Sequence, residues 1–471
     1  MLPKNINSIF DHARGFKVYP RIILILVFLQ CLSLYAIEGI APENFNETNA
    51  GTSENPFLIS QFGNLVWLSE NNEFWSDSQE SFYFEQTQDI DASESLSMNN
   101  GSGFQPIGYK EAISEEEVIQ VPFTGNYNGN NFTITNLHSD ISSTDLIQTG
   151  LFGYSYDATF EGISLNNSSA STDYTLTSLF GIIENTSVTH CSANSRTTNG
   201  TFGGLAFAAI NSSIEKSFST STISNSEGNS GGLVAVLRNS SIKNSYFIGS
   251  AVNCNMFGGI AGNVLNNSEI ENCYARFSIE GNSNGGLVAF LRMGASITNC
   301  FWDSETSQIN NAVFYNVEGG DIVNSSGLTS EEMQTASPYQ DAGWDFETIW
   351  SIDESINWGL PFLQESIISS NDHFSDFLIN SFTASNYPNP FNPETTIEFN
   401  NLVQGQVSIN IYNLKGQLIK NLFQDNLSQG LHKVIWQGRD NNDKQVASGI
   451  YFYKISCGKN KSVTKKIILM K

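Results

Sequence analysis

The chain has 471 residues, with 22 Lys and Arg against 47 Asp and Glu, and its formal net charge at pH 7 is −25. This charge opposes binding to a nucleic-acid backbone or to an anionic membrane, and it favours solubility and divalent cations. Six cysteines in a chain of this length do not make the disulfide framework of a small secreted domain. The length allows two to four domains.

The first 36 residues have the pattern of a secretory signal peptide. Basic residues up to Arg21 precede an apolar run at residues 22–36, and the sequence becomes polar at Ile37-Glu38-Gly39. The run has about 15 residues, fewer than the roughly 20 that cross a bilayer as a helix. We therefore expect cleavage of residues 1–36, which leaves a mature net charge of about −28 and no transmembrane anchor. An uncleaved membrane anchor is the alternative.

A pattern of about 27 residues recurs six times between Leu151 and Trp302. Each unit has an apolar anchor, and the anchors are Leu151, Leu179, Leu205, Leu233, Ile260 and Leu287. A second apolar column follows at Val188, Ile214, Ile242, Ile270 and Ile297. Three residues before each of these stands Asn185, Asn211, Asn239, Asn267 or Gly294. Self-similarity at a fixed period predicts a solenoid.

We interpret each repeat as one coil of a right-handed parallel β-helix. Short apolar runs alternate with Gly, Ser and Asn turns, and no ten residues between Gly150 and Trp302 have helical periodicity. At ~3.3 Å per strand residue, one repeat completes a circuit of two or three short strands and their turns. The Asn column would form a corner, because Asn tolerates the left-handed conformation and stacked Asn side chains hydrogen-bond along the axis. A Gly-rich up-and-down β-sheet or a β-propeller is the alternative, although propeller blades take ~40 to 50 residues.

Cysteine recurs at one small position of the repeat. Cys191, Cys273 and Cys300 follow the second apolar column by three residues, and Ser217 and Ser245 fill the same position in other units. In-register strands lie ~4.8 Å apart, whereas the Cβ atoms of a disulfide prefer ~3.8 Å. We therefore expect these thiols to stay unpaired.

One residue further on stands an aromatic column, Phe218, Tyr246, Tyr274 and Phe301. If these rings faced outward they would form a ladder on which sugar rings stack, and they are the candidate glycan site. The even offset from Ile242 favours the inward face under strict strand alternation, whereas a turn between Ile242 and Tyr246 would reverse the orientation. An internal aromatic stack is the preferred interpretation.

The repeats resemble those of the GLUG-repeat proteins of bacterial surfaces, which are often called adhesin-like. The similarity extends to flanking segments at residues 51–59, 82–84, 89–91, 104–108, 123–129, 300–306, 333–334, 343–350 and 361–363. The resemblance implies an N-terminal cap with the first coils (residues 45–148), GLUG-type repeats (149–303), a C-terminal cap (304–365) and surface display. It supplies no catalytic set.

One catalytic pattern is present, Gly-Asn-Ser-Gly-Gly at residues 228–232, which matches the Gly-x-Ser-x-Gly of serine hydrolases. Ser230 aligns with Phe202, Phe257 and Asn284 of neighbouring units, so we interpret it as a turn position. The five histidines lack metal-ligand spacing, and the charged residues of the repeats are mostly isolated. We predict no catalytic residue, no zinc site and no cofactor.

Two acidic groups are the candidates for Ca²⁺ binding. They are Asp89 with Asp91, and the run from Glu115 to Glu117. Carboxylates suit Ca²⁺, but capping, turn or solvated roles are the preferred interpretation of both groups.

After a linker at residues 366–384, the chain ends in a separate module at residues 385–471. Residues 387–393 read Tyr-Pro-Asn-Pro-Phe-Asn-Pro, and three prolines in this span oppose a ladder strand. Alternating apolar runs at residues 396–399, 407–412, 433–436 and 449–455 then predict a small immunoglobulin-like antiparallel β-sandwich.

This module resembles the C-terminal sorting domain of the type IX secretion system. The residues that carry the resemblance include Tyr387, Pro388, Asn389, Pro390, Phe391, Gly449, Tyr451 and Lys471. The resemblance implies that residues 385–471 are recognised by that secretion machinery, with passage through the bacterial outer membrane and often removal of the tail. A plain immunoglobulin-like binding domain is the alternative.

We therefore expect an exported protein, secreted or held at the outer cell surface, that is adhesin-like or structural and not an enzyme. Its expected ligand is a glycan or a cell surface, and nucleic acid is not an expected partner. The alternative is a polysaccharide-degrading β-helix enzyme, a lyase or hydrolase, which would need carboxylates and a Lys or Arg converging in one groove. A passive spacer would expose neither a groove nor an aromatic platform.

Overall fold

The computed structural model describes residues 37–75, 81–112, 118–140, 149–171, 175–177, 179–226, 228–281, 283–317, 319–354, 356–364, 384–387, 389–401, 405–427, 430–457 and 461–470. The predicted signal peptide, most of the predicted linker, the run from Glu115 to Glu117, Pro388 and Lys471 lie outside these residues. The contacts divide the chain into two units. The first takes in the described parts of residues 1–270, 274–296 and 313–321, and the second those of 271–273, 297–312 and 322–471.

The repeats fold into a parallel β-solenoid of about nine turns, which confirms the predicted parallel β-helix. In the first unit, the coils form four parallel sheets, here named A to D, in which each strand pairs with its equivalent in the next coil. Short strands suit this arrangement because each ladder is completed by neighbouring coils rather than within one coil.

Sheets A and B contain mostly short strands. The described strands of sheet A are Phe57–Ile59, Tyr83–Gln86, Asn126–Asn128, Thr159–Glu161, Ser187–Thr189, Ser213–Glu215, Ser241–Lys243 and Glu269–Glu271. Those of sheet B are Ile90–Asp91, Thr133–Thr135, His138–Asp140, Ser164–Ser171, Ser192–Thr198, Phe218–Ser219, Thr222–Ser224, Tyr246–Val252 and Tyr274–Glu280.

Sheets C and D complete the circuit. The described strands of sheet C are Phe152–Tyr156, Phe180–Glu184, Ala206–Ile210, Val234–Arg238, Ala261–Leu265, Val288–Arg292 and Val313–Val317. Those of sheet D are Thr175–Thr177, Thr201–Gly203, Asn229–Gly231, Met256–Gly258 and Asn284–Gly285. A separate antiparallel hairpin is formed by Tyr109–Ala112 and Val118–Val121.

A residue in the left-handed conformation turns the chain at three corners of the coil. In the coil that begins at Val234, Asn239 (φ 49°) leads from sheet C to sheet A, Asn244 (φ 47°) from A to B, and Asn253 (φ 55°) from B to D. Asn is among the few residues that adopt this conformation at low cost. The polar turn residues of the repeat therefore determine where each sheet ends.

The Asn column occupies the corner between sheets C and A, as predicted. Its members Asn185, Asn211, Asn239, Asn267 and Gly294 have φ of 50°, 50°, 49°, 58° and 73°. The side chains also bond along the axis, since Asn239 Nδ2 donates to Asn211 Oδ1 at 3.2 Å. A second such ladder, in which Asn253 Nδ2 donates to Asn225 Oδ1 at 3.1 Å, lies at the corner after sheet B.

Both ends of the repeats carry structure that the repeat pattern does not predict. The α-helix Phe62–Glu70 buries most of its residues, among them Leu65 and Leu68, and the 3-10 helices Asn72–Phe74 and Ser93–Gly101 follow it. Trp75 is buried and its indole Nε1 donates to the carbonyl of Leu68 at 2.6 Å. The carbonyl of Trp75 accepts a hydrogen bond from Thr124 Oγ1 at 2.9 Å, which ties this segment to the chain just before the strand Asn126–Asn128.

In the second unit, Phe301–Asp303 pairs in parallel with Ser326–Leu328, and Ser296–Thr298 and Asp321–Val323 are further short strands. The closing segment contains the α-helices Ser304–Ser307 and Ser337–Asp341, the 3-10 helices Glu332–Gln334 and Asn357–Gly359, and the antiparallel pair Trp350–Ser351 with Phe362–Leu363. Tyr339, Trp344 and Trp350 are buried there, and the rings of Trp344 and Trp350 lie 4.6 Å apart.

The C-terminal module consists of two antiparallel sheets over one apolar core, which confirms the predicted sandwich. One sheet contains Ala384–Tyr387, Thr395–Asn401 and Gly430–Trp436, and the other contains Leu418–Leu427, Gly405–Asn413, Gly449–Cys457 and Lys461–Leu469. The core includes Ile397 and Trp436 from the first sheet and Ile409, Tyr453 and Ile467 from the second.

Replacing Tyr246 by alanine should lower the free energy of unfolding by about 3–5 kcal/mol, because the fully buried ring leaves a cavity between two stacked neighbours. Urea unfolding followed by circular dichroism measures the change. Tyr315→Ala is the matched control, since that ring is 52% exposed and its loss should cost less than about 1 kcal/mol. Equal losses in the two variants would contradict the interior position of Tyr246.

Candidate functional site

The aromatic column of the repeats lies inside the solenoid. Phe218, Tyr246, Tyr274 and Phe301 are all buried, and none is more than 6% exposed. The rings of Phe218 and Tyr246 stack 4.7 Å apart with planes 2° from parallel, and those of Tyr246 and Tyr274 stack 5.0 Å apart. The preferred inward orientation is thus the observed one, and these four rings offer no face to a sugar.

The reason for the inward orientation differs from the predicted one. Strict alternation assumed an unbroken strand, yet the corner at Asn244 separates Ile242 from Tyr246. A turn at that point was expected to direct Tyr246 outward. The turn does not have this effect. Tyr246 begins a strand of sheet B, and the first residues of that strand are buried.

The small position of the repeat forms a hydrogen-bonded ladder. The backbone N–H of Cys191 donates to Ser217 Oγ at 3.1 Å, and that of Ser217 donates to Ser245 Oγ at 3.1 Å. The N–H of Cys273 likewise donates to Cys300 Sγ at 3.4 Å. Cys191, Cys254, Cys273 and Cys300 are buried and form no disulfide, as expected for the three of them that occupy this position.

Ser230 has a structural role rather than that of a nucleophile. It is fully buried, and its Oγ accepts the backbone N–H of Phe202 at 2.9 Å. The same Oγ lies 2.5 Å from Ser226 Oγ. The Gly-x-Ser-x-Gly match is therefore explained by packing between coils.

Asp89 and Asp91 cap backbone and side-chain groups instead of converging on a common point. Asp89 Oδ1 accepts the N–H of Thr133 at 2.8 Å, and Asp91 Oδ1 accepts Asn136 Nδ2 at 2.9 Å and the N–H of Ser93 at 3.0 Å. The hydrogen bond from Asn136 lowers the pKa of Asp91 most, followed by that from Ser93. Among the described residues, no three His, Cys, Asp or Glu side chains form a group that could hold a metal ion.

A shallow groove of about 450 Å³ follows the corner between sheets C and A. Its lining repeats in each coil as an Asn, a hydroxyl residue and the first residue of the sheet A strand, and consists of Asn185, Thr186, Ser187, Asn211, Ser212, Ser213, Asn239, Ser240, Ser241, Asn267 and Glu269. Ser212 and Ser240 are the buried floor of this lining, and they belong to a ladder in which the N–H of Ser212 donates to Ser240 Oγ at 2.9 Å. Amides and hydroxyls thus face solvent along the axis on a rigid support.

A second outward column, here named the sheet C column, lies on the solvent side of sheet C. Strand pairing aligns Tyr154, Ile182, Ala208, Val236, Asn263, Phe290 and Tyr315. At its start Tyr154 is only 5% exposed, because the Lys110 ammonium lies 4.0 Å from its ring centroid and its hydroxyl donates to Glu184 at 3.2 Å. At its end Tyr315 is exposed and stacks on Phe290 at 5.4 Å.

The stacked rings of Phe290 and Tyr315 at the end of the sheet C column are not apparent from the repeat alignment. Only Phe290 falls within the repeats counted from the sequence, and Tyr315 follows it after a shorter interval than the usual coil. One sequence signal was available for Phe290, because the apolar residues Ala289 and Leu291 stand on either side of it. If both point inward, strand alternation places Phe290 outward, and the structure shows both of them buried.

In the C-terminal module, the Asn-Pro-Phe motif pairs with the last strand. Asn389 Oδ1 accepts the N–H of Ile468 at 2.9 Å, and Asn389 Nδ2 donates to the carbonyl of Lys466 at 3.1 Å. The N–H of Phe391 donates to the carbonyl of Ile468 at 2.9 Å, and the N–H of Met470 donates to that of Phe391 at 3.0 Å. Residues from both ends of the module thus form one local structure.

The other motif residues support this structure. Phe391 packs on Trp436 at 5.3 Å, and Tyr451 packs on the same indole at 5.3 Å. The hydroxyl of Tyr451 donates to the carbonyl of Ala447 at 2.7 Å. Gly449 has φ of 158° at the start of its strand, and Pro390 is exposed. For Tyr387 the structure gives the backbone, which pairs with Thr396.

Residues 385–470 match the family described as "Secretion system C-terminal sorting domain". This match confirms the type IX sorting domain predicted from the sequence, and it indicates export to the cell surface or secretion. No curated protein matches the chain. Within the described residues, no helix combines the length and the apolar character needed to cross a bilayer.

Two solved structures show weak similarity. An "IgA1 Protease" chain is 21% identical, with a TM-score of 0.44, over 57% of this chain and 21% of that one. The other comes from work titled "Structural and functional probing of PorZ, an essential bacterial surface component of the type-IX secretion system of human oral-microbiomic Porphyromonas gingivalis". It is 23% identical, with a TM-score of 0.16, over 24% of this chain and 14% of that one. The present chain spans about a fifth or less of either protein, and neither similarity bears on its function.

Stability should fall as the pH rises above about 9. Burial raises the pKa of the Cys191 thiol from about 9 to about 12, so the unfolded thiol ionises while the folded one stays protonated. The contribution is complete below the unfolded pKa and is lost at up to about 1.4 kcal/mol per pH unit above it. Between pH 8 and pH 10, Cys191→Ser should therefore lose about 1.4 kcal/mol less unfolding free energy than the wild type. The same pH dependence in both proteins would contradict a buried, protonated thiol.

Asn389→Ala should weaken the sorting module and reduce export. The substitution removes two solvent-exposed hydrogen bonds to the last strand, and a hydrogen bond of this kind contributes about 0.5–1.5 kcal/mol to stability. Thermal unfolding of the full chain and the fraction of it reaching the cell surface or medium provide the readouts. Asn442→Ala, at an exposed turn, is the control and should resemble the wild type. Normal export of a destabilised Asn389→Ala chain would show that this contact is not part of the sorting signal.

Proposed function

We propose that the chain is an exported, adhesin-like β-helical protein that binds glycans along the outer faces of its coils. In this proposal, the sorting domain at residues 385–471 delivers the protein to the type IX machinery, and GLUG-type repeats at residues 149–303, with caps at 45–148 and 304–365, form the binding body. Residues 1–36 would act as the signal peptide. The protein is then either held at the cell surface or released.

The observation that carries this proposal is the groove along the corner between sheets C and A. Side-chain amides and hydroxyls recur in it once per coil, from Asn185 to Asn267. Successive coils lie ~4.8 Å apart, so these groups repeat at a spacing comparable to the rise of a sugar residue in an extended chain. Amides and hydroxyls both donate and accept, and this versatility suits a ligand rich in hydroxyl groups.

The enzymatic alternative lacks a supporting constellation among the described residues. A polysaccharide lyase or hydrolase would require paired carboxylates, or carboxylates with a cation, at one point. In the groove, Glu269 is the single carboxylate of the lining, and it lies 3.8 Å from the Lys243 ammonium on the adjacent strand. We therefore propose binding and not cleavage. The exposed ring of Tyr315 in the sheet C column also argues against a passive spacer.

Replacing both Asn211 and Asn239 by glycine should weaken glycan binding without unfolding the protein. Glycine keeps the left-handed corner, as Gly294 does naturally, but removes two amides from the groove. The measurement is binding of the mature full-length chain to a glycan array and to whole cells. We expect the affinity of the variant for the glycans that the wild type binds to fall at least tenfold.

The control is Asn225→Gly with Asn253→Gly. This pair occupies another corner, has the same backbone conformation and forms the same axial hydrogen bond, but lies outside the groove lining. It should bind as the wild type does. Absence of any glycan or cell binding by the wild-type chain would overturn the proposed function.

A further inference from the structure

We propose that the end of the sheet C column is a binding site for an acidic polysaccharide. In this site Tyr315, backed by Phe290, supplies the stacking surface, and Arg238 and Arg292 supply the positive charge. The proposal rests on the proposed function, since it names a class of glycan and a site for it. It concerns a face of the β-helix other than the corner groove.

The two rings form a rigid platform. Phe290 and Tyr315 occupy equivalent positions of neighbouring strands, and their planes are 14° from parallel. Phe314 stands against Tyr315 at 4.6 Å, with its plane 80° from that of Tyr315. Tyr315 is nevertheless 52% exposed. A flat apolar face held by two neighbours is a surface on which a pyranose ring packs at low conformational cost.

Among the described residues, the four strands at this end of sheet C carry no acidic side chain, although the chain has a net charge of −25. The strands Val234–Arg238, Ala261–Leu265, Val288–Arg292 and Val313–Val317 together contain two arginines and no Asp or Glu. At ~0.1 M salt, charges more than ~10 Å away are largely screened, so the local composition determines which ligand is attracted. This composition favours an anion.

The spacing of the two arginines indicates a polymer with widely separated charges. Arg238 pairs with Leu265, and Arg292 pairs with Val317, so the arginines lie two coils apart in one outward column. Two coils correspond to ~10 Å along the axis. Duplex DNA carries a charge every ~1.7 Å and would bring many phosphates close to the acidic remainder of the chain. A polysaccharide with one carboxylate per disaccharide fits the spacing without that repulsion.

Arg292 has an unused hydrogen-bonding group at this site. Its Nε is buried and has no hydrogen-bond partner among the described residues, and its guanidinium carbon lies 4.8 Å from the centroid of the Phe290 ring. Because Nε is buried, a surface ligand would meet this side chain through the terminal N–H groups of the guanidinium and not through Nε. A ligand carboxylate beside Phe290 could accept from the guanidinium while its sugar ring packs on Tyr315.

At the start of the sheet C column, the aromatic ring is covered by other residues of the chain. Tyr154 is covered by Lys110 of the antiparallel hairpin, and its hydroxyl is satisfied by Glu184. Burial lowers the pKa of Lys110, in keeping with a cation that is partly withdrawn from water. The chain thus covers Tyr154 at one end of the sheet C column with its own residues, whereas Tyr315 at the other end is 52% exposed.

The test uses the mature full-length protein and hyaluronan oligosaccharides, in which one carboxylate occurs per disaccharide. Titration calorimetry compares them with the same oligosaccharides after their carboxylates are converted to methyl esters. We expect binding of the acidic form and at least tenfold weaker binding of the ester. Tyr315→Ala and Arg292→Gln should each weaken binding about tenfold, whereas Tyr315→Phe should bind within about twofold of the wild type.

Two matched controls separate this site from general effects. Met293→Ala removes another exposed apolar side chain, and Lys243→Gln removes a cation from sheet A. Both should bind hyaluronan normally, and circular dichroism should show that all variants are folded. Equal binding of acid and ester, or unchanged binding by folded Tyr315→Ala and Arg292→Gln, would overturn the site while leaving glycan binding elsewhere intact. Preference for single-stranded DNA over hyaluronan would also overturn it.

Discussion

The β-helix depends on a left-handed residue at the same corners of successive coils. At Asn239, Asn244 and Asn253 the backbone takes a conformation that most L-amino acids avoid, and the chain changes sheet at each of them. Because the corners recur at equivalent positions, neighbouring strands stay in register, and like residues stack into columns. The serine ladders, the cysteine position and the internal aromatic stack all follow from this register.

Much of the interior of the solenoid could be predicted from the repeat pattern in the sequence. A fixed period identified the parallel β-helix, and Asn185 to Asn267 marked one corner correctly. The corner between sheets A and B was harder to recognise, because His190 and Lys216 adopt there the conformation that Asn adopts in other coils. Sequence spacing identifies a corner only when a residue suited to positive φ fills it consistently.

The features outside the repeats could be recognised only in the three-dimensional structure. The helix Phe62–Glu70 occurs once, so no periodicity predicts it, and its Trp67 packs against the rings of Phe45 and Phe57. The orientation of Tyr246 depended on a corner whose effect on the following strand could not be derived from alternation alone. Likewise Tyr315 belongs to the sheet C column only through its pairing with Phe290, after an interval that departs from the usual repeat.

In a β-helix, inward and outward side chains are under different constraints, and we expect function on the outward ones. Inward columns are constrained by packing, as the buried rings of Phe218 and Tyr274 illustrate. Outward positions are less constrained by packing, and two outward surfaces differ in composition. The groove repeats amides and hydroxyls, whereas the sheet C column combines aromatic rings with arginines. The sorting domain at the C-terminus places both surfaces outside the cell or on its surface.

The central claim is that one repeat forms one interchangeable coil, and a single deletion tests it most directly. Ile214 pairs with Ile242, so removal of residues 214–241 joins two equivalent positions and shortens the solenoid by one coil. Circular dichroism and urea unfolding should show a retained β-sheet spectrum and a cooperative transition for this variant, whereas removal of residues 214–227, half a coil, should abolish both. If the whole-coil deletion is as unfolded as the half-coil deletion, the coils are not equivalent stacked units and the account fails.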